Sequence, residues 1–469
     1  MSEHLAVLVE DDPDQANISA AVLDAAGFRV IVHRFLENAL AYLESTEEYI
    51  DLFVLDRRLP MRAQETATDE FGDALFSQVR KQFPDARVIV FTGYASVELL
   101  QDAMQGSGQF PIRTSNPIDR ITVLTKDQSL EFRTHVQVFR ALLQELDDIE
   151  LQNDKNGNPI GVLDQRALRR VAYEYEAVSL TPTCLAGGLT GAAVWRCELH
   201  TPAGRAANVV VKTVDKLPRL GGLQDLLPLQ NAATTRATIS GLVAGKSISI
   251  LQLAGDTVHP ISDLIATDVP RACTLLEQVI GALNNVSERR ETLRLDALVA
   301  PVISWQKLSE LLEAHGVALP APSIQASTNM GMRHGDLHAS NVMVDGQAAV
   351  LIDFDNSGFG SGLIDPVTLL VSSLVHPDSP IRGSGWPPVV EISNTFGTAD
   401  FGRSHGSSQW FAAIQNWMGA KKQSDREFWG IVLAYSARQL KYKDVINDEE
   451  VLSRVVAISS RASAALRFS

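Results

Sequence analysis

Acidic residues close two of the short apolar runs in the N-terminal part of the sequence. Glu10, Asp11 and Asp12 follow the run LAVLV, and Asp56 follows LFVL. If both runs are strands of one parallel sheet, their carboxyl ends meet at a cleft where ligands bind. Several like charges in one cleft are costly unless a divalent cation lies among them. The spacing therefore predicts a magnesium site at this edge of the sheet.

Asp56 has the position of a nucleophile in this predicted cleft. Its carboxylate can accept a phosphoryl group while the metal neutralises the phosphoryl oxygens. Thr92 ends the fourth apolar run and can bond the new phosphate, and Lys126 ends the fifth and can pair with it. A single aspartate at a strand end is more often only a helix cap. Suitable residues at successive strand ends favour phosphoryl acceptance.

The elements that must position these residues alternate between strands and helices. Apolar runs typical of buried strands occupy residues 5–9, 28–33, 52–56, 86–92 and 121–125, and helical patterns occupy 15–26, 36–44, 72–81 and 97–104. Five such strands interleaved with helices predict a doubly wound α/β fold with a five-stranded parallel sheet, flavodoxin-like in class.

Over residues 3–128 the sequence resembles the receiver domain of two-component response regulators, through VLVEDDPD, VLDRRLP, VIVFTGYAS and VLTK. The resemblance implies that Asp56 is the phosphoacceptor and that Glu10 and Asp11 are the acidic pair that binds Mg²⁺. Asp12 can replace one of them, because EDD aligns ambiguously by one residue. Thr92 and Lys126 become the switch pair. A sensor histidine kinase or a phosphotransfer protein is the implied partner.

Three features depart from the receiver pattern. Asp127 follows the lysine where receivers usually have proline, and Val123 lies where a switch aromatic is common. Residues 61–71 lengthen the loop after Asp56. Phosphoacceptance is expected to persist, and the aromatic rearrangement on the output face is put in doubt.

Residues 129–151 are predicted to form one helix. Phe132, Val136, Phe139, Leu143 and Leu146 are spaced four, three, four and three residues apart, which gives a seam of about two heptads. Two interpretations stay open. The helix either is the last receiver helix running into a linker, or it forms a homodimer seam together with the receiver. The turn residues NDKNGNP (153–159) then break the pattern.

A second constellation lies in the C-terminal half. In HGDLHASN, Asp336 precedes Asn341 by five residues, the spacing of the kinase catalytic loop, in which the Asp accepts a hydroxyl proton and the Asn holds magnesium. Asp345-Gly346 between two apolar runs predicts a hairpin that returns Asp353 to the neighbourhood of Asn341. An Asn and an Asp on paired strand ends suit magnesium-phosphate clamping.

Two weaker signals precede this loop. The stretch LAGGLTGAAVW predicts a glycine-rich turn between strands, in which Gly187, Gly188, Thr190 and Gly191 could approach phosphates, although such a turn is more often an ordinary hairpin. Lys212 closes the apolar run NVVV, where a lysine can hold the α and β phosphates of a nucleotide.

Over residues 178–469 the sequence resembles the aminoglycoside phosphotransferase and choline-kinase branch of the kinase-like fold, mainly through HGDLHASN and LIDFD. The resemblance implies an α+β domain of two lobes, about 178–255 and 256–469, that binds Mg²⁺ and ATP. Asp336 becomes the catalytic base and Lys212 the phosphate-binding lysine. Asn341 and Asp353 become metal ligands, with Asp355 a further acid at the same site.

This second resemblance has one large departure. No Glu occurs between Glu198 and Glu277, so the helix glutamate that normally orients the lysine is missing, and only Asp225 or Gln230 could substitute. Twelve residues separate Asp353 from Asp365, which leaves no room for a protein-kinase activation segment. A small-molecule acceptor is therefore favoured.

Composition limits the class of protein. The 469 residues suffice for two or three domains, here 1–128, a helical linker 129–177 and 178–469. The hydrophobic share of 45% and the net charge of −15 predict a folded protein and speak against nucleic acid as a partner. Three scattered cysteines and the absence of a signal-like or spanning apolar segment favour a cytoplasmic protein without membrane contact.

Together these patterns predict a cytoplasmic response regulator with a kinase-like output domain. Its expected activity is transfer of the γ phosphoryl of ATP to a hydroxyl of an acceptor that the sequence does not identify. The alternative is an inactive pseudokinase that serves as a phosphorylation-controlled binding scaffold.

Overall fold

Five of the N-terminal apolar runs pair as strands of one parallel sheet. They are β1 (His4–Val9), β2 (Phe28–His33), β3 (Leu52–Leu55), β4 (Arg87–Thr92) and β7 (Ile121–Thr125), in the order β2-β1-β3-β4-β7. β1, β3 and β4 are buried throughout, because helices cover both faces of the sheet. The predicted doubly wound, flavodoxin-like fold is confirmed.

The computed structural model describes residues 4–93, 108–110, 117–185, 194–214, 222–243, 245–252, 254 and 258–468. The chain divides into unit 1, residues 1–217 and 235–252, and unit 2, residues 218–234 and 253–469. The helix predicted at 97–104 lies outside the described residues. Three other helices of the receiver region are α1 (Pro13–Ala25), α2 (Leu36–Ser45) and α3 (Asp69–Gln82), and β5 (Gln109–Phe110) pairs antiparallel with β6 (Ile118–Asp119).

The helix predicted over 129–151 is α4 (Ser129–Asp147), followed by β8 (Glu150–Leu151) and α5 (Val162–Glu174). All five residues of the predicted seam are at most 2% exposed within unit 1. Their spacing therefore reflects packing of α4 against its own chain, because side chains buried in this way cannot form a seam with a second copy. Of the two interpretations, the packing agrees with a last receiver helix that runs into a linker.

A second sheet completes unit 1. Its six strands run in the order β12-β13-β11-β10-β9-β8, with β9 (Ser179–Leu185), β10 (Val194–Thr201), β11 (Gly204–Val214), β12 (Thr235–Ser240) and β13 (Ser247–Leu251). One hydrophobic core joins this sheet to α4, α5 and the parallel sheet. It includes Leu8 of β1, Val54 of β3, Phe139 of α4, Leu168 of α5 and Val211 of β11. The receiver region and the six-stranded sheet are thus two parts of one packed body.

Asp85 fastens the turn between β12 and β13 to the receiver region. Its carboxylate is almost fully buried and accepts hydrogen bonds from the backbone amides of Val243 (2.8 Å) and Gly245 (2.7 Å). Leu242 has a φ of 60°, in the left-handed region that a branched side chain rarely adopts. The carboxylate thus helps to hold the turn in a strained conformation.

Unit 2 contains two three-stranded sheets and ten helices among its described residues. The first sheet is β14-β17-β18, from β14 (His259–Pro260), β17 (Val342–Asp345) and β18 (Ala348–Leu351), and the second is β15-β16-β19, from β15 (Glu288–Arg294), β16 (Gln325–Arg333) and β19 (Gly358–Ser361). The helices are α6 (Ile261–Thr267), α7 (Val269–Asn284), α8 (Leu295–Val299), α9 (Trp305–Ala314), α10 (Ile364–Val375), α11 (Val389–Thr395), α12 (Ser408–Lys421), α13 (Asp425–Gln439), α14 (Lys443–Ile446) and α15 (Glu449–Arg467).

A charged cluster ties the second sheet of unit 2 to α12. Glu288 accepts hydrogen bonds from Arg333 (2.9 Å) and Lys421 (2.7 Å). Burial raises the pKa of Glu288, but Lys421 and Arg333 lower it by more, so the net shift is downward. The carboxylate is therefore held in its ionised form.

All three cysteines are free thiols, and only Cys197 is fully buried. Among the described helices, none combines the length and the apolar content that crossing a membrane requires.

Candidate functional sites

The acidic residues predicted at two strand ends converge in unit 1. Glu10 and Asp11 follow β1, and Asp56 follows the neighbouring strand β3. One carboxylate oxygen of each lies within 4.8 Å of the others. Glu10 and Asp56 are buried, and Asp11 is partly exposed. Three carboxylates at this spacing form a donor set that suits a hard divalent cation such as Mg²⁺.

Lys126 lies against two of these carboxylates. It follows β7, and its Nζ donates hydrogen bonds to Asp56 (2.6 Å) and to Glu10 (2.9 Å). Thr92, the last residue of the neighbouring strand β4, is buried, and its carbonyl oxygen accepts a hydrogen bond from the Lys126 amide. The structure thus brings the predicted lysine to the predicted phosphoacceptor and places the threonine at the end of the adjacent strand.

The pocket holds more negative charge than its lysine neutralises. Burial raises the pKa of Glu10 to about 7, against the opposing effect of Lys126. Burial also raises the pKa of Asp11, and the nearby Asp56 charge adds to that shift. The pKa of Lys126 is raised, because its bonds to Asp56 and Glu10 outweigh the effect of burial. A divalent cation among these carboxylates would relieve the repulsion that the lysine leaves.

Asp12 does not belong to this cluster. Its carboxylate accepts hydrogen bonds from the amides of Asp14 and Gln15 and caps α1. The structure does not bring Asp12 into the group of Glu10, Asp11 and Asp56, and its replacement of Glu10 or Asp11 as a metal ligand stays a prediction. The ambiguous alignment of EDD arose because all three residues are acidic, whereas the pleat of β1 and the start of α1 decide which of them face the cleft.

In unit 2 the HGDLHASN segment forms a loop between β16 and β17, fixed by buried hydrogen bonds. Asp365 accepts from the amides of His334 (3.1 Å) and Gly335 (2.9 Å). Gly335 has a φ of 79°, and a Cβ at this position would lie 2.2 Å from the carbonyl oxygen of Asn356. Only glycine fits here, because the backbone of the next turn passes so closely.

The predicted hairpin forms with the expected consequence. β17 and β18 pair from Val342 with Leu351, and the Ile352 amide donates to the carbonyl oxygen of Asn341 (3.0 Å). Asn341 and Asp353 therefore lie next to each other at the open end of the hairpin. The side-chain amide of Asn341 donates to the backbone oxygen of Asp336 (2.9 Å), which leaves its Oδ1 as the atom that could coordinate a cation.

Asp353 and Asp355 occupy different positions in the turn that follows. Asp353 has a φ of 61°, a left-handed conformation that costs energy in a residue other than glycine and is often found at functional sites. Asp355 lies exposed in the short 3₁₀ turn of residues 354–356. An amide oxygen and a carboxylate at the hairpin end fit the oxygen ligands that magnesium takes beside a nucleotide.

Among the described residues, Asn356 and Arg438 lie within 4 Å of the carboxylate of Asp336. Asn356 donates to Oδ2 (3.1 Å), and Nη2 of Arg438 lies 3.6 Å from Oδ1. Arg438 is on α13, about a hundred positions further along the chain. Sequence reasoning missed it, since no spacing pattern links a helical arginine to a loop so far away.

The remaining predicted residues divide between described and undescribed parts of the chain. Lys212 lies on β11 in unit 1, between β10 and β13 of the six-stranded sheet, and is half-buried. Gly187, Gly188, Thr190 and Gly191 lie outside the described residues. The segment 222–234 forms two short 3₁₀ turns (Leu223–Leu226 and Leu229–Asn231). Asp225 is exposed on the first of these turns, and Gln230 is exposed on the second.

These geometries define the class of protein: a flavodoxin-like domain with an acidic strand-end pocket, together with a loop and a hairpin of the kinase-like type. The comparisons with known proteins agree with it. Residues 166–383, a little under half of the chain, match the family model of the phosphotransferase enzyme family (APH). The search of curated proteins found no match.

Receiver domains are among the solved structures that match part of this chain. A CheY-like response regulator receiver domain protein from Methanospirillum hungatei JF-1 is 20% identical, with a TM-score of 0.22, and the match covers 30% of this chain and 99% of that one. The receiver domain of the Francisella response regulator 1452 is 19% identical, with a TM-score of 0.23 and coverage of 30% and 99%. Because these values are low, the receiver assignment rests on the strand order and the acidic pocket.

Proposed function

We propose that the protein is a two-component response regulator whose output domain is an ATP-dependent phosphotransferase. A sensor histidine kinase or a phosphotransfer protein phosphorylates Asp56. The output domain then transfers the γ phosphoryl of magnesium ATP to a hydroxyl group, favoured to be that of a small molecule. The cytoplasm is the expected compartment.

The pocket around Asp56 supports the receiver half of this proposal. A carboxylate oxygen of Asp56 attacks the phosphorus of a phosphohistidine, the P–N bond breaks, and the imidazole leaves with the electron pair. Mg²⁺ supplies charge neutralisation when it is bound at Glu10, Asp11 and Asp56. Lys126, now 2.6 Å from the carboxylate, pairs with the new phosphoryl oxygens, and Thr92 donates its hydroxyl to one of them.

Beryllofluoride, a stable mimic of an aspartyl phosphate, tests this half. With Mg²⁺ present it is expected to raise the melting temperature of the full chain, and Asp56→Asn is expected to abolish the shift. Asp24→Asn, an exposed aspartate of α1, serves as the matched control. A shift that persists in Asp56→Asn would place the phosphoryl mimic elsewhere.

One observation carries the output half: Asp336, Asn341 and Asp353 are gathered by a single loop and hairpin of unit 2. In that arrangement Asp336 takes the proton of the acceptor hydroxyl, while Asn341 and Asp353 hold the magnesium that accompanies the nucleotide. The test is consumption of magnesium ATP by the full chain with a panel of hydroxyl acceptors. Asp336→Asn is expected to abolish turnover and to leave nucleotide affinity nearly unchanged. The absence of turnover in the wild type across the whole panel would count against the enzyme.

The missing glutamate favours a second candidate function. No Glu lies between Glu198 and Glu277, and the described residues 222–234 form 3₁₀ turns where a glutamate-bearing helix would be expected. On this hypothesis the domain is an inactive pseudokinase scaffold controlled by phosphorylation of Asp56. A thermal titration with magnesium ATP separates the two functions, because a scaffold without nucleotide shows no stabilisation, whereas saturating ligand adds about 2.7 kcal/mol at a hundred times Kd.

A further inference from the structure

The candidate base Asp336 has a cationic neighbour that the catalytic-loop motif does not include. Arg438 rises from the last turn of α13, and its Nη2 lies 3.6 Å from Oδ1 of Asp336. Its side chain is 12% exposed and that of Asp336 is 25% exposed, so the pair is sheltered without being sealed from solvent. An acceptor that reaches the base therefore also comes close to the arginine.

The geometry of this pair differs from that of a structural ion pair. At 3.6 Å the contact is longer than a hydrogen bond, whereas an arginine locked to a carboxylate forms two parallel bonds near 2.8 Å. Asp336 already accepts a hydrogen bond from Asn356 at its other oxygen. The guanidinium carries five N–H donors in a planar fork, which matches an oxyanion.

Neighbouring groups keep Arg438 cationic in spite of its burial. Burial lowers the pKa of Arg438, but Asp336 and the nearby tyrosines Tyr435 and Tyr442 raise it by more. Arg438 is a partly buried cation that forms a side-chain hydrogen bond with Tyr442 and lies 3.6 Å from one carboxylate, and a second anion would offset more of its desolvation cost.

We propose that Arg438 is a catalytic residue of the output domain that binds an oxyanion placed beside the hydroxyl held by Asp336. This inference rests on the proposed phosphotransferase function and extends it to the acceptor side of the site. The oxyanion has two possible sources: the phosphoryl group in transit, or an acidic group carried by the acceptor. Either source presents phosphate-like or carboxylate oxygens to the N–H donors of the Arg438 guanidinium.

The reaction that Arg438 would assist balances as an ordinary phosphoryl transfer. The acceptor oxygen forms a bond to the γ phosphorus, the bond from that phosphorus to the β–γ bridging oxygen breaks, and ADP leaves with the electron pair. The hydroxyl proton passes to Asp336. Arg438 exchanges no proton or electron, and its contribution is attraction to the oxyanion as negative charge gathers there.

The first arm of the test needs no acceptor, because water can take the phosphoryl group. Hydrolysis of magnesium ATP by the full chain is measured for the wild type, Arg438→Gln and Arg438→Lys. If the oxyanion is the phosphoryl in transit, kcat falls about 100- to 1,000-fold in Arg438→Gln with KM for ATP unchanged, and Arg438→Lys recovers part of it. Arg403→Gln, an exposed arginine of the same unit, is the matched control.

The second arm uses inorganic phosphate as the probe. If the oxyanion belongs to the acceptor, hydrolysis is unchanged, but phosphate stabilises the wild type against heat in the presence of magnesium ADP and fails to stabilise Arg438→Gln. The inference is overturned if Arg438→Gln, shown to be folded by its melting curve, changes neither hydrolysis nor the phosphate effect. Should Arg438→Gln not fold, Arg438→Lys decides by the same two readouts.

Failure of the proposed function looks different. A wild type that binds nucleotide but consumes no ATP, either with water or with any acceptor of the panel, contradicts phosphotransfer, while the phosphate arm still decides whether Arg438 binds an oxyanion.

Discussion

Replacing Asp85 by alanine is expected to loosen the turn between β12 and β13 without unfolding the parallel sheet. The buried carboxylate accepts two backbone hydrogen bonds, from Val243 and Gly245. A hydrogen bond to a charged group contributes about 1.5–3 kcal/mol, and a buried amide left without a partner costs about 1–3 kcal/mol. Because both amides can turn partly to solvent when the turn relaxes, the expected local loss is about 2–5 kcal/mol.

Hydrogen exchange of the backbone amides in the turn measures this loss of local stability. Since each 1.4 kcal/mol is a factor of ten, amides in a peptide spanning 241–252 are expected to exchange about 30-fold faster or more in Asp85→Ala. Asp85→Asn keeps one accepting oxygen, and its exchange rates are expected to lie between those of the wild type and those of Asp85→Ala. Asp24→Ala, which changes an exposed aspartate of the same unit, is the control and is expected to stay within about 0.5 kcal/mol of the wild type.

The reasoning fails if the peptide at 241–252 keeps its wild-type protection in Asp85→Ala. That outcome would mean that the shared apolar core alone holds the turn. A uniform loss of protection across β1, β3 and β4 would also contradict it, because the clamp is argued to act locally.

Three further predictions concern other parts of the chain. Glu288→Gln is expected to lower the free energy of unfolding by about 1.5–3 kcal/mol at pH 7. Because the pKa of Glu288 is lowered on folding, its contribution to stability is present above about pH 5 and is lost as the pH falls through the folded-state pKa. The urea unfolding curves of mutant and wild type should therefore converge in acid. Gly335→Ala is expected to displace the loop of residues 334–341, because the new Cβ would lie 2.2 Å from the carbonyl oxygen of Asn356. The expected result is a large loss of ATP turnover with only a small fall in the melting temperature. Normal turnover would contradict the close approach. Phe139→Ala, in the core of unit 1, is expected to cost about 3–5 kcal/mol in urea unfolding, and a loss below 1 kcal/mol would mean that α4 is not part of that core.

Much of the fold was predictable because apolar runs of parallel strands are continuous. The predicted bounds of β2 and β7 agree with the structure, and that of β1 differs by one residue. The strand β15 was missed, since its sequence ERRETLR is charged and lies mostly at the surface. A strand that buries so little carries no apolar signal, and its pairing with β16 is decided by the chain around it.

In the candidate sites, too, the contacts that follow from strand ends and turns were predictable, and those that depend on helix packing were not. Strand ends and the Asp-Gly hairpin brought Asp56, Lys126, Asn341 and Asp353 to their expected neighbours, because local geometry decides those contacts. Arg438 depends on how α13 packs within unit 2, which no local pattern encodes. The heptad-like spacing in α4 was a true packing signal whose partner was the same chain, and spacing alone cannot tell an internal partner from an external one.

The common core of unit 1 constrains how this chain could be re-engineered. β1 and β3, which carry Glu10 and Asp56 at their ends, contribute to the same apolar interior as β11, which carries Lys212. A receiver grafted from another regulator would therefore have to match the opposing sheet side chain by side chain, and excision of residues 1–128 would strip that sheet of its cover. The parallel sheet and the six-stranded sheet are therefore not independently exchangeable modules, and substitutions that alter the function of either one have to leave this shared interior intact.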